Sequence, residues 1–254
     1  MSALLEVELL SIRFGGIHAV QAVDLSVGPG EVVGIIGPNG AGKTTLLNAV
    51  NQLVASQGRI AFAGRSIQGM APYRLRPLGI SRSFQHPQLS PTLSVRANLM
   101  LGLAFRPHYS WLTAAYLPGT VRRVEGAMYP MVEQVAEICG LAPWLAERAQ
   151  DVPYGVLKAA DIARSLVGEP QLVLLDEPFG GLSADEKERL VPVLRGFVSE
   201  GGRSILLIDH DVELVTRVCD RLYAMDYGKV LTHGRPQEVI EDEMVIQAYL
   251  GTEA

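Results

Sequence analysis

A glycine-rich segment that joins an apolar run to a helical stretch constrains this sequence more than any other feature. Residues 32–36 are apolar and rich in β-branched side chains, as expected of a strand buried on both faces. The segment that follows reads Gly37-Pro38-Asn39-Gly40-Ala41-Gly42-Lys43-Thr44. A helical stretch, which includes Thr45, runs from Lys43 to about Val54. A strand, a glycine-rich turn that ends in Gly-Lys-Thr and a helix, in that order, predict a phosphate-binding loop.

The residue types in this loop suit phosphate chemistry. Glycines let backbone N–H groups converge on phosphate oxygens, and the N-terminus of the following helix adds a favourable dipole. Lys43 is expected to reach the β- and γ-phosphates, and the hydroxyl of Thr44 to coordinate Mg²⁺. We therefore expect residues 37–45 to bind ATP together with Mg²⁺.

A second apolar run ends in two acidic residues. Residues 172–175 are apolar, and Asp176 and Glu177 follow them. Open α/β sheets bind ligands at the carboxyl ends of their strands. Asp176 is therefore a candidate for holding Mg²⁺ through water, and Glu177 for the general base that acts on the attacking water. Such a strand end also suits a solvated loop, and the upstream phosphate loop favours the catalytic interpretation.

Hydrophobic periodicity separates strand-rich segments from a helical one. Strands are predicted at residues 5–10, in a run that ends at Val27, and at residues 32–36, 172–175 and 204–208. Helices are predicted at residues 95–103, 128–139, 157–166, 185–199, 211–219 and 238–250, and a hairpin at residues 221–225 and 229–232. Strands that alternate with helices indicate a parallel sheet. We expect one domain over residues 1–254, with an α/β core at about residues 1–84 and 165–254 and an inserted helical subdomain at about residues 85–164.

Composition and charge narrow the range of partners. Of the 254 residues, 48% are hydrophobic and 19% charged, and the net charge is −5. A nucleic-acid partner is not expected, because tracking phosphates needs a basic stripe. The N-terminus has no basic region of a signal peptide, and the apolar stretch at residues 99–117 is interrupted by polar residues. We expect a soluble chain that meets a membrane only through another chain, with Cys139 and Cys219 as reduced thiols.

The order of these motifs resembles the nucleotide-binding domain of ABC transporters over nearly the whole chain. The resemblance implies a P-loop ATPase core with a parallel sheet, a small antiparallel β region and an inserted helical subdomain. It also implies that Phe14 stacks on adenine, that Gln85 contacts Mg²⁺ and water, and that His210 contacts the γ-phosphate. Without the resemblance, the sequence favours a core position for Phe14 and a surface position for Gln85.

The family's Leu-Ser-Gly-Gly-Gln signature is degenerate in this sequence. The matching segment reads Val152-Pro153-Tyr154-Gly155-Val156 and precedes the helix predicted at residues 157–166. The resemblance implies that this segment, with Gly155, grips the γ-phosphate of ATP held by an opposite subunit. Ser183 also stands where the family has an aspartate. Two interpretations stay open, a tolerated variation and a weakened site.

Further segments resemble the ATPase subunits of branched-chain amino-acid importers and their amide and urea relatives. They are Arg13-Phe14-Gly15-Gly16, Tyr154 before Gly155, Gly181-Leu182-Ser183, Ala248-Tyr249-Leu250-Gly251 and the insertion at residues 105–123. Within that insertion, one group of apolar residues suits either a groove for a membrane subunit or packing among its own members. The group comprises Trp111, Leu112, Tyr116 and Leu117.

This likeness implies an ATP-hydrolysing motor subunit that powers uptake of a polar small molecule. It implies a second, different ATPase subunit, two integral membrane permease subunits and, indirectly, an extracytoplasmic substrate-binding protein. The chain would then lie at the cytoplasmic face of the inner membrane as a peripheral subunit. The alternatives are the ATPase of another ABC transporter type, and a cassette that mainly binds ATP as the weak half of a heterodimer.

Overall fold

A computed structural model describes residues 3–105, 126–199 and 201–250. The apolar group predicted in the insertion, Trp111, Leu112, Tyr116 and Leu117, lies outside the described residues. The strands are β1 (Leu5–Phe14), β2 (Ile17–Val27), β3 (Val32–Ile36), β4 (Gln57–Phe62), β5 (Arg65–Ser66), β6 (Ile80–Arg82), β7 (Leu172–Asp176), β8 (Ser204–Ile208), β9 (Arg221–Asp226) and β10 (Lys229–Gly234). The helices are α1 (Lys43–Val50), α2 (Leu75–Leu78), α3 (Val95–Leu101), α4 (Tyr129–Ile138), α5 (Tyr154–Leu166), α6 (Ala184–Ser199), α7 (Val212–Val218), α8 (Pro236–Ile240) and α9 (Glu243–Leu250).

A six-stranded sheet in the order β10-β9-β3-β8-β7-β6 positions the predicted site. Its strands pair in parallel except at the β9–β10 hairpin, which is antiparallel as predicted. Every residue of β3, β7 and β8 is buried, which explains why these strands are apolar on both faces. Their carboxyl ends meet at one edge of the sheet, where the phosphate loop and both candidate acids follow.

A four-stranded antiparallel sheet in the order β2-β1-β4-β5 forms the small β region predicted for this fold. The strand predicted at residues 5–10 does not alternate regularly between its two faces, because Leu9 is 64% exposed and the next residue, Leu10, is buried. The β1–β2 register shifts between Val7 and Leu10, and Leu9 has a φ of 48°. A bulge of this kind adds one unpaired residue and reverses which face the following side chains occupy.

Apolar packing forms three clusters among the residues that the structure describes. The first lies between the antiparallel sheet, α1 and one face of the parallel sheet, and the second covers the opposite face with α5, α6 and α7. The third joins α3, α4 and α5 through residues such as Leu99, Val132 and Ala160. Because α5 contributes Ile162 and Leu166 to the second cluster, it links the helical layer to the sheet. The predicted division into core and helical subdomain stays a prediction.

Several predicted helix bounds are wrong, each for a local reason. α1 ends at Val50, before a turn that holds Gln52 at a φ of 57°. α5 begins at Tyr154 and not at residue 157, because Pro153 suits the position before a first helical turn. The predicted C-terminal helix is divided into α8 and α9, since Asp242 Oδ1 accepts a hydrogen bond of 2.8 Å from the N–H of Met244 and so caps a new helix.

Membrane-spanning helices were searched for in the part of the chain that the structure describes. None there is both long enough and apolar enough to cross a bilayer.

Candidate functional site

The predicted phosphate loop connects β3 to α1 and is pressed against its neighbours. Gly37 has a φ of 144° and Gly42 a φ of 96°, in the region that favours glycine. A Cβ at Gly37 would lie 2.0 Å from the carbonyl oxygen of Met225, and one at Gly42 would lie 2.3 Å from that of Ala19. These two positions therefore exclude side chains, while Asn39 stays exposed at the tip of the loop.

Lys43, the first residue of α1, folds back over the loop. Its Nζ donates hydrogen bonds to the carbonyl oxygens of Gly37 at 2.6 Å and Pro38 at 2.9 Å. Burial lowers the pKa of this lysine, and the carboxylates of Glu177 and Asp176 oppose that shift. The loop thus contains a held cation beside backbone N–H groups and a helix N-terminus, which is an arrangement suited to an anion.

Thr44 and Asp176 bring oxygen ligands together at the end of β7. The hydroxyl Oγ1 of Thr44 lies 3.4 Å from Asp176 Oδ1. Mg²⁺ prefers oxygen ligands and is usually bound through one or two carboxylates with substrate phosphates, so this pair fits Mg²⁺. Burial raises the pKa of Asp176, and Arg82 opposes that shift.

Arg82 is a site residue that the sequence interpretation missed. Its Nη2 donates to Asp176 Oδ2 at 3.0 Å, and the two side chains are 4% and 3% exposed. The guanidinium also lies 5.0 Å from the ring centre of Phe84. A usable signal was present, because an arginine at the end of a short buried strand needs a buried acid as partner.

Glu177 and Gln85 form the next contact along this edge. The Nε2 of Gln85 donates to Glu177 Oε2 at 2.8 Å. The backbone N–H of Glu177 donates to the carbonyl of Ile208 at 2.8 Å, which holds a residue whose φ is 49°. A non-glycine residue in this region costs about 1–3 kcal/mol and persists only where its surroundings enforce it. The structure therefore brings together two residues that lie on different predicted segments.

Asp209, which was not among the predicted site residues, organises the loops after β7 and β8. It is fully buried. Its carboxylate accepts hydrogen bonds from the N–H groups of Phe179 at 3.0 Å, His210 at 2.8 Å and Asp211 at 3.1 Å. Burial raises its pKa, while these backbone hydrogen bonds lower it. The imidazole of His210 is 65% exposed, with Nδ1 3.7 Å from Asp209 Oδ1, so the predicted histidine stands at the sheet edge facing solvent.

Two predicted site residues, Phe14 and Gly155, lie apart from the hydrogen-bonded residues at the end of β7. Phe14 ends β1 and is 52% exposed. Gly155 lies in the first turn of α5, where a Cβ would be 1.7 Å from Glu186 Oε1. The N–H and hydroxyl of Ser183 donate to Glu186 Oε2 at 2.8 and 2.7 Å, which caps the start of α6. Ser183 therefore has a structural role within its own chain.

Two further residues support the phosphate loop from outside. The N–H of Gly228, in the β9–β10 turn, donates to the carbonyl of Ala41 at 3.0 Å. The hydroxyl of Tyr249, on α9, accepts a hydrogen bond from the N–H of Gly37 at 2.8 Å. The sequence around Gly228 or Tyr249 does not predict these contacts, because each contact joins segments that lie far apart in the chain.

We expect the Gly228→Ala substitution to destabilise the protein by about 1–3 kcal/mol and to weaken nucleotide binding. Gly228 has a φ of 77°, and a Cβ there would lie 2.7 Å from the carbonyl oxygen of Ala19. The turn must therefore shift, and its hydrogen bond to the carbonyl of Ala41 is disturbed. Urea denaturation and titration with ADP measure both effects.

Gly196→Ala is the matched control for this substitution. Gly196 lies within α6, and in the described part of the chain nothing outside its chain neighbours and its own helix backbone lies within 4 Å of a Cβ built there. Alanine is favoured over glycine in a helix interior by about 1 kcal/mol, so this variant should be at least as stable as the parent. Equal stability and ADP affinity in the two variants would contradict the supporting role of Gly228.

Comparison with known proteins places the chain in a family. The family described as "ABC transporter" matches residues 20–180. The chain belongs to the ABC transporter family. The predicted resemblance is thus confirmed, and as an ATP-binding cassette of this family the chain is an ATPase.

Relatives of this cassette match it over almost its whole length. The high-affinity branched-chain amino acid transport ATP-binding proteins LivG of Escherichia coli and BraF of Pseudomonas aeruginosa are each 32% identical, over 98% of both chains. A probable LivG of Methanocaldococcus jannaschii is 30% identical over 98% of this chain and 97% of its own.

Solved structures confirm the predicted fold class. A nucleotide-free ATP-binding cassette from an ABC transporter has a TM-score of 0.84 and 27% identity, covering 98% of this chain and 99% of that one. The ADP conformation of an ATP-binding cassette of an ABC transporter also has a TM-score of 0.84, with 28% identity over 99% of this chain and all of its own.

Proposed function

We propose that this cassette is the ATP-hydrolysing motor subunit of an importer for branched-chain or other amino acids, amides or urea. The observation that carries the proposal is the convergence of the phosphate loop with Asp176 and Glu177 at one edge of the sheet. Thr44, next to Lys43, lies 3.4 Å from Asp176 Oδ1, and Glu177 directly follows Asp176 at the end of β7. The full-length similarity to LivG and BraF supports the amino-acid branch.

In this proposal the nucleotide phosphates lie in residues 37–45. Lys43 and the N-terminus of α1 neutralise phosphate charge, which is the main requirement of phosphoryl transfer. Glu177 accepts the proton of the attacking water. Gln85, which is hydrogen-bonded to Glu177, orients that water. Thr44, Gln85 and Asp176 would hold Mg²⁺, which supplies further neutralisation of the transferring group when bound.

The remaining predicted residues have more distant roles in the proposal. The exposed ring of Phe14 is available to stack on adenine, and His210 to contact the γ-phosphate. We also propose that residues 85–164 form a helical subdomain inserted between core residues 1–84 and 165–254. The separate apolar cluster shared by α3, α4 and α5 supports that division.

The proposed assembly contains a second, different ATPase subunit, two integral membrane permease subunits and an extracytoplasmic binding protein. The chain would be peripheral to the cytoplasmic face of the inner membrane. At the degenerate signature, Pro153 supplies neither a hydroxyl nor an N–H, and Val156 supplies no side-chain amide. A heterodimer is therefore favoured, in which a different partner brings an intact signature to this phosphate loop. Losing one charge-assisted hydrogen bond at the degenerate signature would lower the affinity for ATP held by the opposite subunit by about 10- to 100-fold.

Uptake by the reconstituted complex tests this function. We expect vesicles that contain the cassette, its co-purified partners and a binding protein to accumulate radiolabelled leucine only with ATP inside. Labelled urea and acetamide, supplied in parallel, distinguish the substrate classes. A complex assembled with the Glu177→Gln variant is the matched control and should not accumulate substrate.

Two outcomes would contradict the proposal. If no membrane subunit co-purifies and ATP hydrolysis is indifferent to membranes, the cassette does not power transport. If the complex binds ATP but the parent and the Glu177→Gln variant both transport at the same rate, this chain is the weak half that mainly binds ATP.

A further inference from the structure

One face of α5 carries charged side chains that contact the loop containing Gln85. Lys158, Asp161 and Arg164 follow one another at intervals of three residues, so they form a stripe along the helix. Lys158 and Asp161 are each 1% exposed. Lysine and aspartate are almost never this deeply buried without partners.

The partners of this stripe are backbone groups of residues 84–88. Asp161 accepts hydrogen bonds from the N–H of Phe84 at 3.3 Å and from that of Gln88 at 3.1 Å. Lys158 Nζ donates to the carbonyl of Gln85 at 2.7 Å. Arg164 donates to the carbonyl of Gln88 and, at 2.6 Å, to Asp161 Oδ1. α5 therefore binds the backbone of this loop segment at Phe84, Gln85 and Gln88.

The charged side chains of this stripe stabilise the loop at residues 84–88 more directly than they stabilise α5. Desolvating an ion costs several kcal/mol, so a buried lysine and aspartate persist where hydrogen bonds compensate them. Here the compensating hydrogen bonds come partly from the main chain of residues 84–88. Without them, the N–H and carbonyl groups of that segment would need other hydrogen-bond partners.

Gln85 joins this stripe to the candidate general base. Its carbonyl accepts from Lys158, while its side-chain Nε2 donates to Glu177 Oε2 at 2.8 Å. A displacement of α5 therefore changes where the Gln85 amide can reach. α5 also packs against both the sheet, through Ile162, and the helical layer, through Ala160, so the helix connects both layers to this contact.

We propose that Lys158, Asp161 and Arg164 form a clamp that fixes the Gln85 loop to α5, so that Gln85 is positioned on Glu177 by the helix. These are positioning residues that act through Gln85. The proposal rests on the proposed hydrolytic role of Glu177 for its kinetic consequence, whereas the clamp itself does not depend on that role.

Hydrogen exchange and kinetics of the full chain test the clamp with conservative variants. In Asp161→Asn, which leaves one oxygen in place of two, we expect amide exchange at Phe84 and Gln88 to rise about 10- to 100-fold, the effect of losing a charge-assisted hydrogen bond. In the assembled complex we expect kcat to fall by a similar factor. The KM for ATP should change less than about 3-fold, because the phosphate loop keeps its own contacts.

Two further variants separate positioning from general damage. Lys158→Met should loosen the same segment, and Lys158→Arg, which keeps a donor for the carbonyl of Gln85, should restore much of kcat. Arg195→Met is the matched control, since it removes a 2.8 Å ion pair with Asp220 whose side chains are 44% and 40% exposed. It should leave exchange at residues 84–88 and kcat at parental values.

Different results would overturn different parts of the proposal. Parental exchange at residues 84–88 in folded Asp161→Asn and Lys158→Met chains would show that α5 does not hold the loop. Raised exchange with unchanged kcat would show that the clamp is structural only. Full turnover in Glu177→Gln would remove the hydrolytic role of Glu177, while the exchange measurement would still decide whether the clamp exists.

Discussion

Replacing Glu177 with glutamine is expected to abolish steady-state ATP hydrolysis and to leave ATP binding nearly unchanged. The substituted amide cannot accept a proton from water, and losing a positioned general base costs about 10²- to 10⁴-fold in rate. Lys43 Nζ is held by the carbonyl oxygens of Gly37 and Pro38, which this substitution leaves in place. The new amide keeps an oxygen that can accept from Gln85. Phosphate release by the purified complex and equilibrium binding of ATP measure the two effects separately.

Glu188→Gln is the matched control for this substitution. Glu188 lies on α6, is 56% exposed and pairs with Arg217 at 2.6 Å, away from the phosphate loop. It should hydrolyse ATP at the parental rate. Turnover within about 10-fold of the parent in Glu177→Gln would rule out a general base at this position, because that range is below the effect of such a group.

Replacing Arg82 with methionine is expected to cause the largest loss of stability among these variants. Arg82 and Asp176 form a buried ion pair, so removing the guanidinium leaves an uncompensated carboxylate at 3% exposure. Breaking such a pair on one side costs about 3–5 kcal/mol. The loss of its stacking on Phe84 adds to the effect. Guanidinium denaturation of the nucleotide-free chain measures the change.

A double-substitution cycle identifies the ion pair as the cause. Because Asn at position 176 carries no charge, Arg82→Met combined with Asp176→Asn should cost less than the sum of the two single changes. Arg59→Met is the matched control, since Arg59 and Glu8 are 47% and 53% exposed. That pair should contribute only about 0–1 kcal/mol. Additive single effects, or an Arg82 variant as stable as the Arg59 variant, would contradict the assignment.

This ion pair also affects how the proposed Mg²⁺ ligands are oriented. Arg82 occupies Asp176 Oδ2, which leaves Oδ1 directed towards the hydroxyl of Thr44. The carboxylate is therefore held in one orientation by a strand neighbour and not by the metal. Such preorganisation reduces the rearrangement needed when an ion and nucleotide bind.

Local patterns in the chain were sufficient to predict the main elements of the site. The predicted bounds of β3 and β8 agree with the structure, because strands buried on both faces are continuous apolar runs. The phosphate loop was recognisable because its requirements are local, with glycines where the backbone is crowded and Lys43 and Thr44 at the start of a helix. The order of these elements then indicated the fold and the family.

Contacts between distant segments were decided only by the tertiary structure. Arg82 and Asp176 lie 94 residues apart, and Lys158 and Gln85 lie 73 apart. A sequence shows that a charged residue interrupts an apolar pattern but does not show which opposite charge will face it. The bulge at Leu9 was unpredictable for the same reason, since its N–H is satisfied by Asp24 on the neighbouring strand. Chain-local chemistry thus predicted a phosphate-binding loop, and long-range packing decided which buried charges hold the candidate catalytic carboxylates in place.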